Sequence, residues 1–132
     1  MPLVAHSIGT GDYESYAVHS LEILFGLWGG GVAGVRSGGS DGQTTVQLDY
    51  ADGRRAVWQV YRRIAWQFHL AVFGTDGMDE AYVRFADRYA IFRATAERMI
   101  RFVEQRRSPV PVQETIEIVR LLETVRNVQR MA

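Results

Sequence analysis

His19, Glu22 and Ser15 are the side chains most able to do chemistry, and they fall in one stretch from Asp12 to Trp28. At about 100° per residue, Ser15, His19, Glu22 and Gly26 form one narrow stripe on a helix. His19 and Glu22 are three apart and Ser15 and His19 four apart, so each pair can touch. An imidazole exchanges protons near neutral pH, and a neighbouring carboxylate fixes its tautomer. His19 therefore suits a proton shuttle or hydrogen-bond donor lining a substrate pocket. The same residues also suit a His–Glu pair that satisfies itself inside the core. Metal binding needs more ligands than one helix supplies here, and His6, His69 and Asp12 are scattered along the chain. A serine hydrolase lacks support, because no G-x-S-x-G elbow is present and Ser15 has no evident oxyanion hole.

The rest of the stretch is apolar, with Tyr13, Tyr16, Ala17, Val18, Leu21, Ile23, Leu24, Phe25, Leu27 and Trp28 around most of the circumference. Such a helix is expected to be buried, with its polar stripe turned to another part of the protein or to a pocket.

Composition removes several chemistries. All 15 basic residues are Arg, so a lysine base or Schiff base is excluded. The absence of Cys excludes disulfides, zinc thiolates and thiol nucleophiles. Fifteen acidic residues balance the arginines, leaving no electrostatic footprint for nucleic acid or an anionic membrane. No apolar run is long enough to span a bilayer, so a cytoplasmic domain is expected. The 132 residues support a single domain with one core. Gly29 to Gly34 matches the G-x-G-x-x-G spacing of dinucleotide-binding loops, but it follows a helix and precedes a strand, the reverse of what phosphate binding requires. It reads as a plain connector. Arg54-Arg55, Arg62-Arg63 and Arg106-Arg107 read as solvated surface or ion-pair partners, with Arg62 or Arg63 available to an anionic ligand at a strand end.

The elements follow from periodicity and punctuation. Leu3 to Ser7 reads as a strand or extended lead-in, and Asp12, or Thr10 before it, can cap the helix that ends at Gly29-Gly30-Gly31. Val32 to Arg36 reads as a short strand and Ser37 to Gly42 as a loop. Val46 to Tyr50 and Val57 to Tyr61 alternate about Asp52-Gly53, a strong hairpin signal. Ala65 to Phe73 is expected as a third strand and Tyr82 to Phe85 as a fourth. The period then turns helical, with Tyr89, Phe92, Ala96, Met99, Ile100 and Val103 on one face. After Pro109 and Pro111, a last helix from about Gln113 to Gln129 is expected to bury Ile116, Val119, Leu122 and Val125. This order implies an α+β fold, a mostly antiparallel sheet with helices packed on one face.

The run Tyr16-Ala-Val-His19-Ser-Leu-Glu22, the glycine turn after it, Phe73-Gly74-Thr75-Asp76-Gly77-Met78, Arg101-Phe102-Val103-Glu104 and the segment Pro109 to Val119 resemble, in order and spacing, the C-terminal half of Gfo/Idh/MocA oxidoreductases. The resemblance covers nearly everything from Gly9 onward. It implies a substrate-binding and oligomerisation domain of a sugar or polyol dehydrogenase whose NAD or NADP is held by a separate Rossmann domain carrying a catalytic Lys. It further implies a homo-oligomer formed through the sheet face. The family's first helix commonly carries Asp-x-x-x-His, in which the His exchanges a proton with the reacting hydroxyl. His19 falls on that His, which makes it the catalytic residue, with Asp12, Ser15, Tyr16 and Glu22 as substrate-pocket candidates. Ser15 stands where the Asp is expected and cannot bear charge, which leaves Glu22 as the substitute partner. With no Lys and no Rossmann segment before Gly9, the chain is expected to be an excised domain or a natural stand-alone one, and inactive alone. The alternative is a non-enzymatic α+β module whose exposed sheet face dimerises or binds a small hydrophobic ligand, with Trp58, Val60, Tyr61, Trp66 and Phe68 expected to supply more apolar surface than two helices cover.

Overall fold

In the computed structural model, residues 2–40, 42–83 and 88–131 are described. They form β1 (Pro2–Thr10), α1 (Tyr13–Trp28), β2 (Val32–Ser40), β3 (Gln43–Tyr50), β4 (Arg55–Tyr61), β5 (Phe68–Gly74), β6 (Gly77–Val83), α2 (Arg88–Gln105) and α3 (Val112–Met131). The strands make one sheet in the order β2-β3-β4-β1-β5-β6. Every neighbouring pair is antiparallel except β1 and β4, which run parallel, as strands joined by a long crossover can. The expected α+β fold is present. No described helix is long and apolar enough to cross a membrane.

Strand alternation sends one set of side chains under α1 and α3. Ala5, Val46, Leu48, Tyr50, Ala56, Trp58, Val60 and Leu70 meet Ala17, Leu21, Leu24, Phe25 and Trp28 of α1 and Ile118, Leu121 and Val125 of α3. The hairpin forms at Asp52-Gly53 as its sequence demands, with Gly53 at φ +86° and its N–H bonded to the Tyr50 carbonyl at 3.0 Å.

α1 lies close on β1 because Gly9 has no side chain. A Cβ there would stand 2.6 Å from Ser20 Cβ. Ser7 Oγ donates to the Ser20 carbonyl at 3.0 Å, and Trp58 Nε1 donates to Ser20 Oγ at 2.7 Å. Ser20 Oγ in turn donates to the Ala17 carbonyl at 3.0 Å, so every polar atom at this crossing has a partner. At the other end α1 has no basic residue in its last turn. Arg54, from the β3–β4 turn, supplies the cation: its guanidinium donates to the Trp28 carbonyl and lies over the Trp28 and Tyr50 rings.

Five expectations are corrected. Ser37 to Gly42 is not simply a loop, because β2 continues to Ser40 and pairs back onto Gln43 to Thr45. Gly39, at φ +144°, lets the strands approach where a Cβ would strike the Gln43 carbonyl. The third strand starts at Phe68 rather than Ala65, because Thr10 draws the preceding backbone into a loop. Tyr82 is in β6, which begins earlier, at Gly77, while Arg84 and Phe85 lie outside the described residues. On α3 the covered face is Ile118, Leu121 and Val125 with Leu122 at its edge, and Ile116 and Val119 are 44% and 48% exposed. Finally, Trp58, Val60 and Phe68 are buried within the chain itself and need no partner to cover them.

The apolar face of α2 is present but uncovered: Phe92 and Val103 are each 72% exposed, and all its described side chains are exposed. Phe92→Ser should therefore shift the stability of this chain by no more than about 0.5 kcal/mol, read from the urea midpoint. A buried Phe would lose several times that.

Candidate functional site

Ser15, His19 and Glu22 lie on the side of α1 turned away from the sheet, and all three are exposed. His19 Nδ1 and Glu22 Oε2 are 3.5 Å apart, the outer limit of a hydrogen bond, with side chains 54% and 57% exposed. The stripe thus opens outward and is not a pair sealed in the core. The helix buries only the opposite side, through Ala17, Ser20, Leu21, Leu24, Phe25 and Trp28.

His19 stands against an aromatic wall. Its ring centroid is 6.1 Å from that of Tyr16 and 6.3 Å, edge-on, from that of Phe68. Trp66 completes the wall, edge-on to Tyr16 at 4.9 Å and to Phe68 at 5.7 Å. Tyr16, one of the residues expected near a substrate, therefore joins His19 to a tryptophan that sequence reasoning assigned to a strand. Trp66 belongs instead to the loop between β4 and β5. In the sequence its period-2 alternation with Phe68 disguised the loop as a strand.

Asp12 is directed elsewhere. It occupies the capping position of α1 by backbone conformation, but its side chain makes no capping bond. Its Oδ1 pairs instead with Arg62 Nε at 2.5 Å. Both line a cavity of about 430 Å³ between the start of α1, the glycine-rich β2–β3 turn and the end of α3. Glu14 pairs with Arg126 at the same end of α1. Each carboxylate that is described in this lining is thus paired with a guanidinium, Asp12 with Arg62 and Glu14 with Arg126. Ser15, Tyr16, His19 and Glu22 do not line it.

Tyr13 also borders this cavity, and its hydroxyl donates to the Leu122 carbonyl at 2.7 Å. Burial raises its pKa well above the usual phenol range against the opposing pull of Arg126. Burial likewise pushes Tyr50 up to about 12. Raised folded-state values mean that folding holds these protons, so the stabilisation is full below the unfolded pKa near 10 and is lost as pH rises through about 12. An alkaline titration followed at the phenolate absorbance should show two of the six tyrosines ionising late, with their ionisation tracking unfolding.

The glycine-rich connector is already filled by the protein itself. The Glu117 carboxylate accepts from Gly31 N–H at 2.9 Å and from Val32 N–H at 2.7 Å. A side chain at Gly30 would strike the same carboxylate at 2.6 Å. A dinucleotide phosphate does not fit where an internal anion holds the amides, so these residues do not make a cofactor site. Their role is to lock the α1–β2 turn onto α3. Glu117→Ala should cost about 1–3 kcal/mol in chemical denaturation, and Glu117→Gln less, because an amide oxygen still accepts. Glu117 was invisible in the sequence because its partners are more than 80 residues away.

The remaining histidines are on the opposite, open face of the sheet. His6 Nε2 bonds Gln59 Oε1 at 2.7 Å, and His69 Nε2 bonds Glu80 Oε2 at 3.2 Å while stacking on Tyr82. Among the described residues no group of three or more His, Asp or Glu side chains is placed to hold a metal.

No protein-family model matches the chain, and no curated protein does either. Solved structures do. An oxidoreductase from Agrobacterium radiobacter, in complex with NAD+, L-tartaric acid and magnesium, superposes on 93% of the chain with a TM-score of 0.64 at 13% identity. UDP-N-acetylglucosamine 3-dehydrogenase GnnA from Acidithiobacillus ferrooxidans superposes on 96% of it with a TM-score of 0.57 at 14% identity. The chain shares the fold of about half of each of these two oxidoreductases. It spans about half the length of the solved chains it matches, 53% of each. At these identities the oxidoreductase-domain likeness concerns the fold, and it agrees there with the Gfo/Idh/MocA resemblance of the sequence.

Proposed function

We propose that the chain is the substrate-binding domain of a Gfo/Idh/MocA-like, NAD(P)-dependent dehydrogenase of sugars or polyols, acting in the cytoplasm. The observation that carries this reading is the outward-facing His19 beside an aromatic wall, on the first helix of an oxidoreductase-domain fold. An exposed imidazole can take the proton of a substrate hydroxyl and return it. Glu22 is close enough to select its tautomer, with Ser15 and Tyr16 flanking. The chain's only glycine-rich loop of dinucleotide-binding spacing is occupied by Glu117, so NAD or NADP is held by a separate dinucleotide-binding domain. Titration calorimetry tests this: the chain alone should give no heat with NAD+ or NADP+, and measurable binding overturns the division of labour.

The open sheet face is the proposed homo-oligomer interface. Phe73, Met78 and Tyr82 are 41%, 54% and 53% exposed there, an apolar surface suited to a second copy. Sedimentation should give a multiple of 14.9 kDa, and a strict monomer refutes the interface. One observation favours the non-enzymatic alternative, a ligand-binding or dimerisation module: Gln59 on this face also donates to Thr45 and Tyr61, tying them to His6 in a polar cluster.

A further inference from the structure

Among the described residues α2 is the one helix with no covered side. Tyr89, Phe92, Ala96, Met99 and Val103 recur at alternating steps of three and four, the pattern of a seam that packs along another surface. The helix is also basic. From Arg88 to Arg107 six arginines meet two glutamates, so this segment carries +4 and the rest of the neutral chain −4. A matching surface lies on the open sheet face. A solvated antiparallel face normally turns polar side chains to water, but β5 and β6 turn Phe73, Met78 and Tyr82 outward. Val4, Phe73 and Met78 form one row across β1, β5 and β6, and Ile8, His69 and Tyr82 form another, with the small Ala71 between them. From Ile64 to Val83 the sequence holds Asp76, Asp79 and Glu80 and no arginine.

We propose that two copies of the chain exchange their α2 helices, each laying its stripe of Phe92, Met99 and Val103 across the β5–β6 half of the other's open sheet face. This rests on the homo-oligomer reading above and names what meets the sheet. Charge selects among the self-pairings that a two-fold axis allows. Helix on helix sets +4 against +4. The β5–β6 half on itself sets acid against acid. Helix on sheet brings apolar to apolar and basic to acidic. The chain's own α2 leaves this face open, since every described side chain of α2 is exposed. A two-fold dimer makes the contact twice, which covers both helices and both patches.

Sedimentation of the whole chain and two variants tests the exchange. The unaltered chain should dimerise, and Phe92→Glu and Met78→Arg should each weaken dimerisation tenfold or more, because each puts a charge into an apolar contact. Both residues are exposed in the single chain, so neither variant should move the urea midpoint measured at dilutions where the chain is a monomer. An equimolar mixture of the two variants should dimerise more tightly than either alone. In the mixed dimer one contact joins an intact helix to an intact sheet, and the other sets the new glutamate against the new arginine. Failure of the mixture to recover dimerisation overturns the exchange. If Met78→Arg abolishes the dimer while Phe92→Glu keeps it, sheet meets sheet: the exchange fails and the sheet-face reading survives. If the unaltered chain is a monomer, or both variants dimerise as it does, both fail.

Discussion

Trp58→Ala is expected to lower the stability of the chain by about 3–5 kcal/mol, the range for removing a large aromatic from a packed core. A small domain holds about 5–15 kcal/mol in all, so this single change should take a large fraction of it. The argument is local. Trp58 is 1% exposed, packs near the Tyr13 ring at 6.1 Å and gives Ser20 Oγ a hydrogen bond at 2.7 Å. Alanine leaves a cavity beneath α1 and also removes the hydrogen bond that the buried Ser20 hydroxyl accepts, leaving it only its donation to the Ala17 carbonyl. Trp58→Phe separates the two effects: it keeps much of the packing and loses the hydrogen bond, so it should cost roughly 1–3 kcal/mol. Urea denaturation reads both, with an unchanged slope showing that the unfolded state is the same. A loss below about 1 kcal/mol for the alanine variant would mean that α1 is not seated on β4 as described.

The second large effect belongs to function. Under the proposed substrate-domain reading, with a dinucleotide-binding domain supplied, His19→Ala should lower kcat by about 10²–10⁴-fold, the usual contribution of a positioned acid–base group. On the same reading Glu22→Gln should cost less, about tenfold, because losing a group that orients the imidazole matters less than losing the one that exchanges the proton. Ser15→Asp tests the departure from the family pattern: a carboxylate one turn before His19 should support activity in the Glu22→Gln background. If His19→Ala leaves kcat unchanged, the proton passes elsewhere. Because His19 is exposed, none of these changes should move the urea midpoint appreciably.

Local pattern made much of this legible. α1, the Asp52-Gly53 hairpin and the two C-terminal helices were readable because strong periodicity and turn chemistry agree there. What failed was phase and long range. α3 is apolar on two sides, through Val112, Ile116 and Val119 and through Ile118, Leu121 and Val125, and period alone does not say which side the sheet takes. The β5 boundary was hidden because Trp66 and Phe68 alternate as a strand would, while the Thr10 hydroxyl that bends the segment comes from more than 50 residues away. The polar stripe of α1 was legible as a stripe, but its exposure depends on what lies opposite, which a helical wheel does not contain. Of the five residues expected at the site, Tyr16, His19 and Glu22 are neighbours, Ser15 shares their exposed side, and Asp12 points into another cavity.

The chain has three histidines, and they divide between the two readings. His19 is on α1, whereas His6 and His69 are on the open sheet face. The most direct measurement is therefore an NMR titration of the three imidazole C2–H resonances, assigned by single His→Gln variants, as methyl β-D-glucopyranoside is added. The substrate-domain account expects His19 to shift saturably while His6 and His69 stay fixed. Saturable shifts at His6 and His69 with His19 unmoved would contradict it and favour a ligand-binding module on the sheet.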